Sequence, residues 1–293
     1  MPRHVPRVAP PGSLVLDHVS HFVPDLGRAA RALEALGFAV TPESAQATQD
    51  GPAGTSNVCV MLEEGYLEFL APTAPTPNAE RLRAAMQRYP GVHLACFGTP
   101  EAGEEHSRLS AHGFAPQPVV ELRRETDTGL ARFRVVRPAP DRMPEGRVQF
   151  VQHLTPDVLW HERWMAHSNG VTGLACAFVV ADAPGDAAAR WSRFAALLPR
   201  PARGFVHLRT ARGDVLVGAP RDWQPVFGAP PPPSPSIAGY ALVCAEPNAL
   251  ARRAAGAGAS VRKLRANLYA ASLPPELGGA WVFGTQSSLA LDR

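Results

Sequence analysis

A handful of side chains able to do chemistry sit where the chain around them is apolar. His18 lies in Leu16-Asp17-His18-Val19-Ser20-His21-Phe22-Val23, and Glu68 in Glu64-Gly65-Tyr66-Leu67-Glu68-Phe69-Leu70. His93 lies in Val92-His93-Leu94-Ala95-Cys96-Phe97, and Gln149 and His153 in the run from Arg147 to Leu154. Imidazoles and carboxylates inside strand-like runs serve metal ligation or proton transfer, because burial tunes their charge and fixes their lone pairs. His153 is four residues beyond Gln149, so in a strand the two share a face and His153 is a candidate acid/base or supporting group. Arg132 and Arg134 also share a strand face and are candidates for holding a substrate carboxylate through paired hydrogen bonds. His161 and His167 are six apart, a spacing that suggests a linker packed over the site more than a zinc pair.

The elements that would position these groups follow one plan four times. Each unit opens with an apolar strand, continues through a helix to a turn, and ends in further strands. The openings are at Leu16, Val92, Leu174 and Ala238. In the first unit Leu26, Ala29, Ala30, Leu33 and Leu36 have helical spacing, so a helix is expected over Asp25 to Leu36, stopped by Gly37. Strands are expected at Phe38–Thr41, Asn57–Leu62 and Tyr66–Ala71, the last two joined by a Glu63-Glu64-Gly65 hairpin turn. The second unit is expected to carry a helix from Pro100 to His112 and strands near Gln117–Leu122, Ala131–Arg137 and Arg147–Leu154. In the third, a helix from Gly185 to Leu198 precedes strands at Gly204–Thr210 and Asp214–Gly218. The fourth has a helix from Asn248 to Ala257 and a last strand at Ala280–Phe283. A β-α-β-β-β unit cannot close a core alone, so units should pair. A polar and aromatic connection, 156–170, and the proline run Ala229 to Pro235 break the chain. The economical division is a first domain over 14–155, the connection, and a second domain over 171–289.

Composition narrows the function. Hydrophobic residues make up 45% and charged residues 19% of the 293, enough for a large core. A net charge of +3 with scattered arginines argues against nucleic acid as a partner. No apolar run has the length of a membrane span, and Met1 to Gly12 lacks the apolar stretch of a secretory signal. Cys59, Cys96, Cys176 and Cys244 form no CxxC pair and read as buried thiols of a cytoplasmic protein. There is no glycine-rich phosphate loop after a suitable strand and no GxSxG elbow.

The strings Leu16 to Leu26 and Glu64 to Leu70 resemble the opening and closing strands of vicinal oxygen chelate (glyoxalase-like) proteins. The resemblance covers the first two units; the last two match in architecture alone. It implies an α+β fold of four βαβββ modules in two cupped sheets. It also implies a divalent metal (Fe, Mn, Ni or Zn) held by His18 and Glu68 from the first unit and His93 from the second. Superposing Gly146-Arg147-Val148-Gln149-Phe150-Val151 on Gly65 to Leu70 puts Gln149 in the fourth slot, where the family usually has an acid. Such a site acts on small substrates with neighbouring oxygens, with Glu68 as catalytic base and His153 as a second catalytic candidate. Tyr66, Phe22 and Phe97, with Arg132 and Arg134, are the candidate substrate contacts. A lyase or isomerase is the leading reading, with an extradiol ring-cleaving dioxygenase and a non-catalytic sequestration protein as alternatives. The third and fourth units hold no polar residue at the corresponding positions. Monomer and homodimer are both compatible, since four units in one chain can pair internally.

Overall fold

The opening strand β1 (Val15–Phe22) is buried along its whole length, as an element covered on both faces must be. Asp25 then caps α1 (Leu26–Ala35), its carboxylate accepting from the Arg28 amide at 2.9 Å, and the Leu26, Ala29 and Leu33 stripe packs inward. After it come β2 (Ser44–Thr48), β3 (Gly51–Met61) and β4 (Tyr66–Pro72). Gly65, at φ +83°, makes the β3–β4 turn; a Cβ there would lie 2.7 Å from the Asp17 carbonyl. The expected strand at Phe38–Thr41 is absent as such. Pro42 has no N–H to continue a ladder, and the first paired strand after α1 begins at Ser44.

Helix α2 (Pro77–Arg88), outside the expected elements, starts on a Thr76 cap with Pro77 in its first turn. The second unit follows as β5 (Gly91–Gly98), α3 (Ala102–Ala111), β6 (Val120–Thr126), β7 (Gly129–Val136) and β8 (Arg147–His153). These eight strands close into a barrel in the order β1-β4-β3-β2-β6-β7-β8-β5. The seam is the short β2–β6 pairing, Ala47 with Arg123 and Thr48 with Leu122. The connection folds as two single-turn helices, α4 (Pro156–Leu159) and α5 (Glu162–Met165).

The second half contains β9 (Val171–Val180), α6 (Pro184–Ala195), β10 (Pro199–Ala202), β11 (Phe205–Arg209), β12 (Asp214–Gly218), α7 (Pro220–Phe227) and β13 (Ser236–Cys244). It ends with α8 (Pro247–Gly256), β14 (Ser260–Arg265), β15 (Leu268–Ser272), β16 (Ala280–Gly284) and α9 (Gln286–Leu289). Its strands form one open sheet ordered β10-β11-β12-β9-β13-β16-β15-β14. This is the expected α+β architecture of paired modules in two curved sheets. The computed structural model describes residues 8–202 and 204–290, so Met1 to Arg7 of the proline- and arginine-rich start lie outside the described residues.

The two halves share one hydrophobic core, running from Leu16, Val19 and Phe69 to Trp191, Phe194, Tyr240 and Trp281. Backbone hydrogen bonds sew them together: Leu16 N to the Arg212 carbonyl at 2.8 Å, Leu174 N to Glu64 at 2.8 Å and Ile237 N to Glu145 at 3.0 Å. All four cysteines are buried free thiols, and among the described residues no helix is long and apolar enough to cross a membrane.

Candidate active site

Strand register fixes which residues meet inside the barrel. Two rows run around its wall. One is Arg147–Leu94–Ser20–Glu68–Cys59, the other Gln149–Cys96–His18–Tyr66–Met61, each read across β8, β5, β1, β4 and β3. The first two units are therefore related by a local twofold between β1 and β5. It superposes Glu68 on Gln149, Ser20 on Cys96 and His18 on Leu94.

That last equivalence corrects the expected ligand set. The β1–β5 ladder has two bulges, which leave Asp17 and His93 unpaired. His93 is the twofold mate of Asp17, and the slot expected to hold a second histidine holds Leu94. The His93 ring is stacked between Tyr89 (4.1 Å between centroids) and Phe22 (5.1 Å), and its Nε2–H donates to the Tyr89 carbonyl at 2.9 Å. Burial pushes its pKa down to about 4, so it is neutral at pH 7. The sequence showed a histidine near the start of each of the first two units but not the bulge, which shifts the facing by one residue.

His18 and Glu68 do come together, with Nε2 and Oε2 3.8 Å apart on the wall of a cavity of about 170 Å³. Each is held from behind. Glu68 Oε2 accepts from Ser20 Oγ at 2.6 Å, and Oε1 accepts from Asn57 Nδ2 at 2.6 Å and Gln46 Nε2 at 3.2 Å. His18 Nδ1 donates to Asp17 Oδ1 at 2.7 Å, and the ring stacks on Tyr66 at 4.3 Å. Burial alone would lower the His18 pKa; Cys96 and the Asp17 carboxylate outweigh it and raise the imidazole well above its ordinary value. Asp17 also accepts from His153 Nε2 at 2.9 Å. Burial would raise the Asp17 carboxyl, but His153 and His18 outweigh it and hold it well below the usual carboxylate range. His153 thus supports Asp17 and is not among the residues lining the cavity.

The remaining expected residues divide. Tyr66 and Gln149 line the cavity, the latter with its carbonyl oxygen accepting from Arg137 Nε at 3.0 Å. Phe22 lies in the barrel's inner cluster against His93. Phe97 faces away, into the core shared with the second half, tilted against Phe150 and edge-on to Trp191. On β7 the inward residues are Ala131, Phe133 and Val135; Arg132 and Arg134 face out, and Arg132 pairs with Glu121 at 2.6 Å. His167 is a tie of the connection, bonded to the Ala39 amide and the Met61 carbonyl, and His161 caps α5.

The cavity's cations are Arg124, Arg137 and Arg147, none of them foreseen. Period-two alternation would have found two of them: Arg124 follows Val120 and Leu122 on the inner face of β6, and Arg137 follows Phe133 and Val135. Arg124 donates to Asn57 Oδ1 at 3.3 Å and to Cys59 Sγ at 3.6 Å. Arg147 donates to Asn78 Oδ1 at 2.8 Å; its burial, with Arg137 and Arg81 nearby, pushes its pKa down to about 9.

This donor set does not fit a resident divalent metal. Of the four expected ligands His18, Glu68 and Gln149 line the cavity, and His93 does not, its ring being stacked between Tyr89 and Phe22. The Gln149 oxygen is engaged by Arg137, and three guanidiniums stand where a dication would add further positive charge.

Comparison with known proteins places this architecture. A family model described as glyoxalase-like domain matches residues 16–195, more than half of the chain. The chain belongs to the glyoxalase-like domain family. Among solved structures it is similar to a hypothetical protein from Staphylococcus aureus, with TM-score 0.65 and 10% identity over 93% of this chain and 99% of that one. It is also similar to a mutant 4-hydroxymandelate synthase from Streptomyces coelicolor, with TM-score 0.59 and 15% identity over 94% of each chain. A third is a Mn(II)-bound glyoxalase from Novosphingobium aromaticivorans, with TM-score 0.57 and 10% identity over 95% of this chain and 82% of that one. At these identities the likeness is one of fold. No curated protein matches the chain.

Proposed function

We propose that the barrel of this glyoxalase-like protein is a proton-transfer site of lyase or isomerase type, acting on a small molecule with neighbouring oxygens and using charged side chains in place of a metal. The observation that carries this reading is the His18–Glu68 pair, 3.8 Å apart on the cavity wall, with each group's far side locked by buried partners. Glu68 is the base. It lines the cavity with Oε2 3.8 Å from His18 Nε2, while Ser20, Asn57 and Gln46 fix its plane. A proton taken from the carbon next to a substrate oxygen leaves negative charge on that oxygen. His18, held in place by its Nδ1–H on Asp17, and the cavity's guanidiniums are oriented before the reaction to stabilise that charge. The divalent metal and the dioxygenase reading both need further donors, and Leu94 stands where the next would be.

The test is proton exchange followed by NMR in D2O, with a panel of small 2-hydroxy ketones and 2-oxo acids. Exchange catalysed by the wild type, unchanged by a chelator and slowed at least 100-fold in Glu68→Gln, is expected. Exchange abolished by chelation, or equally fast in Glu68→Gln, overturns the mechanism. Tight binding with no exchange across the panel instead supports sequestration, which the apolar part of the wall, Leu70, Leu94, Val120, Leu122, Phe133 and Val135, favours.

A further inference from the structure

Arg137 and Arg147 are half-buried, line the same cavity, and among the described residues pair with no carboxylate within salt-bridge distance. The bonds they do make are to neutral oxygens: Arg137 Nε to Gln149 Oε1 at 3.0 Å and Arg147 Nη2 to Asn78 Oδ1 at 2.8 Å. A guanidinium has five N–H donors, so each keeps donors unspent beside the cavity. Removing two like charges from water side by side, with Arg81 adding a third field, is costly unless an anion joins them. Glu68 acts on all three cavity arginines, and Arg124 differs in its bonds, which go to Asn57 Oδ1 and Cys59 Sγ on the wall beside Glu68.

From this geometry we infer that Arg137 and Arg147, oriented by Gln149 and Asn78, form a binding site for the carboxylate of a small organic acid. The inference deepens the proton-transfer reading and rests on it for the identity of the substrate. Arg147 is in register with Leu94, Ser20 and Glu68, three strands along the wall, or roughly 14 Å at the usual strand spacing. Across a barrel the chord is shorter. An acid anchored at the arginines extends its other oxygen toward His18 and Glu68. The planar fork of a guanidinium suits a carboxylate, and a cavity of about 170 Å³ suits an acid of a few carbons.

The probes are malonate, its neutral counterpart malonamide, and inorganic phosphate, titrated into the full-length protein by calorimetry at low salt. Malonate is expected to bind at least tenfold more tightly than malonamide and more tightly than phosphate. Arg147→Met and Arg137→Met should each weaken malonate at least tenfold, while the outward Arg134→Met leaves it unchanged. Equal affinity for malonate and malonamide overturns the site without any variant, and preference for phosphate overturns its assignment to carboxylates. Wild-type malonate affinity in folded Arg147→Met also overturns it. Glu68→Gln separates the two proposals: it should abolish exchange and retain or strengthen malonate binding. Loss of exchange in Glu68→Gln with no malonate binding by the wild type would leave the base standing and remove the carboxylate site.

Discussion

The barrel and the open sheet are built from the same module, yet one encloses a polar cavity and the other packs an apolar cluster on its inner face. In the second half the positions matching His18 and Ser20 hold Cys176 and Phe178 on β9, and Gly239 and Ala241 on β13. The positions matching Glu68 hold Leu216 and Val282. These residues form an apolar cluster, and α7 drops Trp223 and Phe227 into it, their rings stacked at 3.7 Å. Helix α2 occupies a comparable place on the barrel but contributes Asn78, whose Oδ1 accepts from Arg147, to the cavity. The contrast teaches that the fold sets the cup while side chains on the inner face decide between a site and a core. The second half then serves as a buttress that holds β1 and β5 from outside.

The largest expected effect breaks that buttress. Trp223 is 2% exposed, and Trp223→Ala should cost about 3–5 kcal/mol in denaturant unfolding, as deletions of buried aromatics do. Phe227 loses its stacking partner, and the void left has no polar lining to take up water. A cost under about 1 kcal/mol, well short of that range, would mean that α7 covers the sheet without filling it.

The next effect sharpens the register argument. If Leu94 is the twofold mate of His18 and Gln149 that of Glu68, then Leu94→His combined with Gln149→Glu places four donors in facing positions. Equilibrium dialysis with Mn(II) or Zn(II) should then show at least a 100-fold gain in affinity over the wild type, about 2.7 kcal/mol. His93→Ala in the same background should leave that gain intact. Loss of bound metal on removing His93 would show that the facing inferred from the bulges is wrong.

A third expectation concerns the seam between the halves. His21, on the outer face of β1, is fully buried against the second half, bonded to the Leu277 carbonyl at 3.0 Å and the Tyr240 hydroxyl at 3.1 Å. Burial pushes its pKa down from 6.5 to about 4. The folded protein therefore keeps this ring neutral while the unfolded chain protonates it, so stability is full above about pH 6.5 and falls as pH drops toward 4. The loss from this group is roughly 3 kcal/mol over that window. His93 shares the direction, so the readout is a difference: the pH dependence of unfolding should be shallower in His21→Gln than in the wild type. Parallel curves would show that His21 does not carry it.

Much of this was legible in the residues. Helical spacing located α1, α3, α6 and α8 to within a few residues, and the Leu16 and Gly65 strings marked the two strands that carry His18 and Glu68. What stayed hidden depends on pairing across the barrel. A bulge at Asp17 or His93 leaves no mark in a single strand's sequence, because an apolar run buried on both faces shows no alternation. The same blindness put Phe97 among the substrate contacts when it faces the shared core. Helices α2 and α7 begin in proline-rich stretches that read as loops, although Thr76-Pro77 and Ala219-Pro220 are ordinary helix starts.

The smallest expected effect separates the two faces of one strand. The sequence offered Arg132 and Arg134 as carboxylate holders, and both face out of the barrel. Arg132 spends its donors on Glu121, with both side chains well exposed, so solvent screens the pair and little stability rides on it. Arg137, the next inward arginine along the chain, bonds only a neutral amide oxygen. Arg132→Met should therefore leave melting temperature and malonate affinity unchanged within error, under the same conditions in which Arg137→Met weakens binding tenfold. Equal weakening in both would mean that the barrel attracts anions through its general field and that no particular pair of guanidiniums receives them.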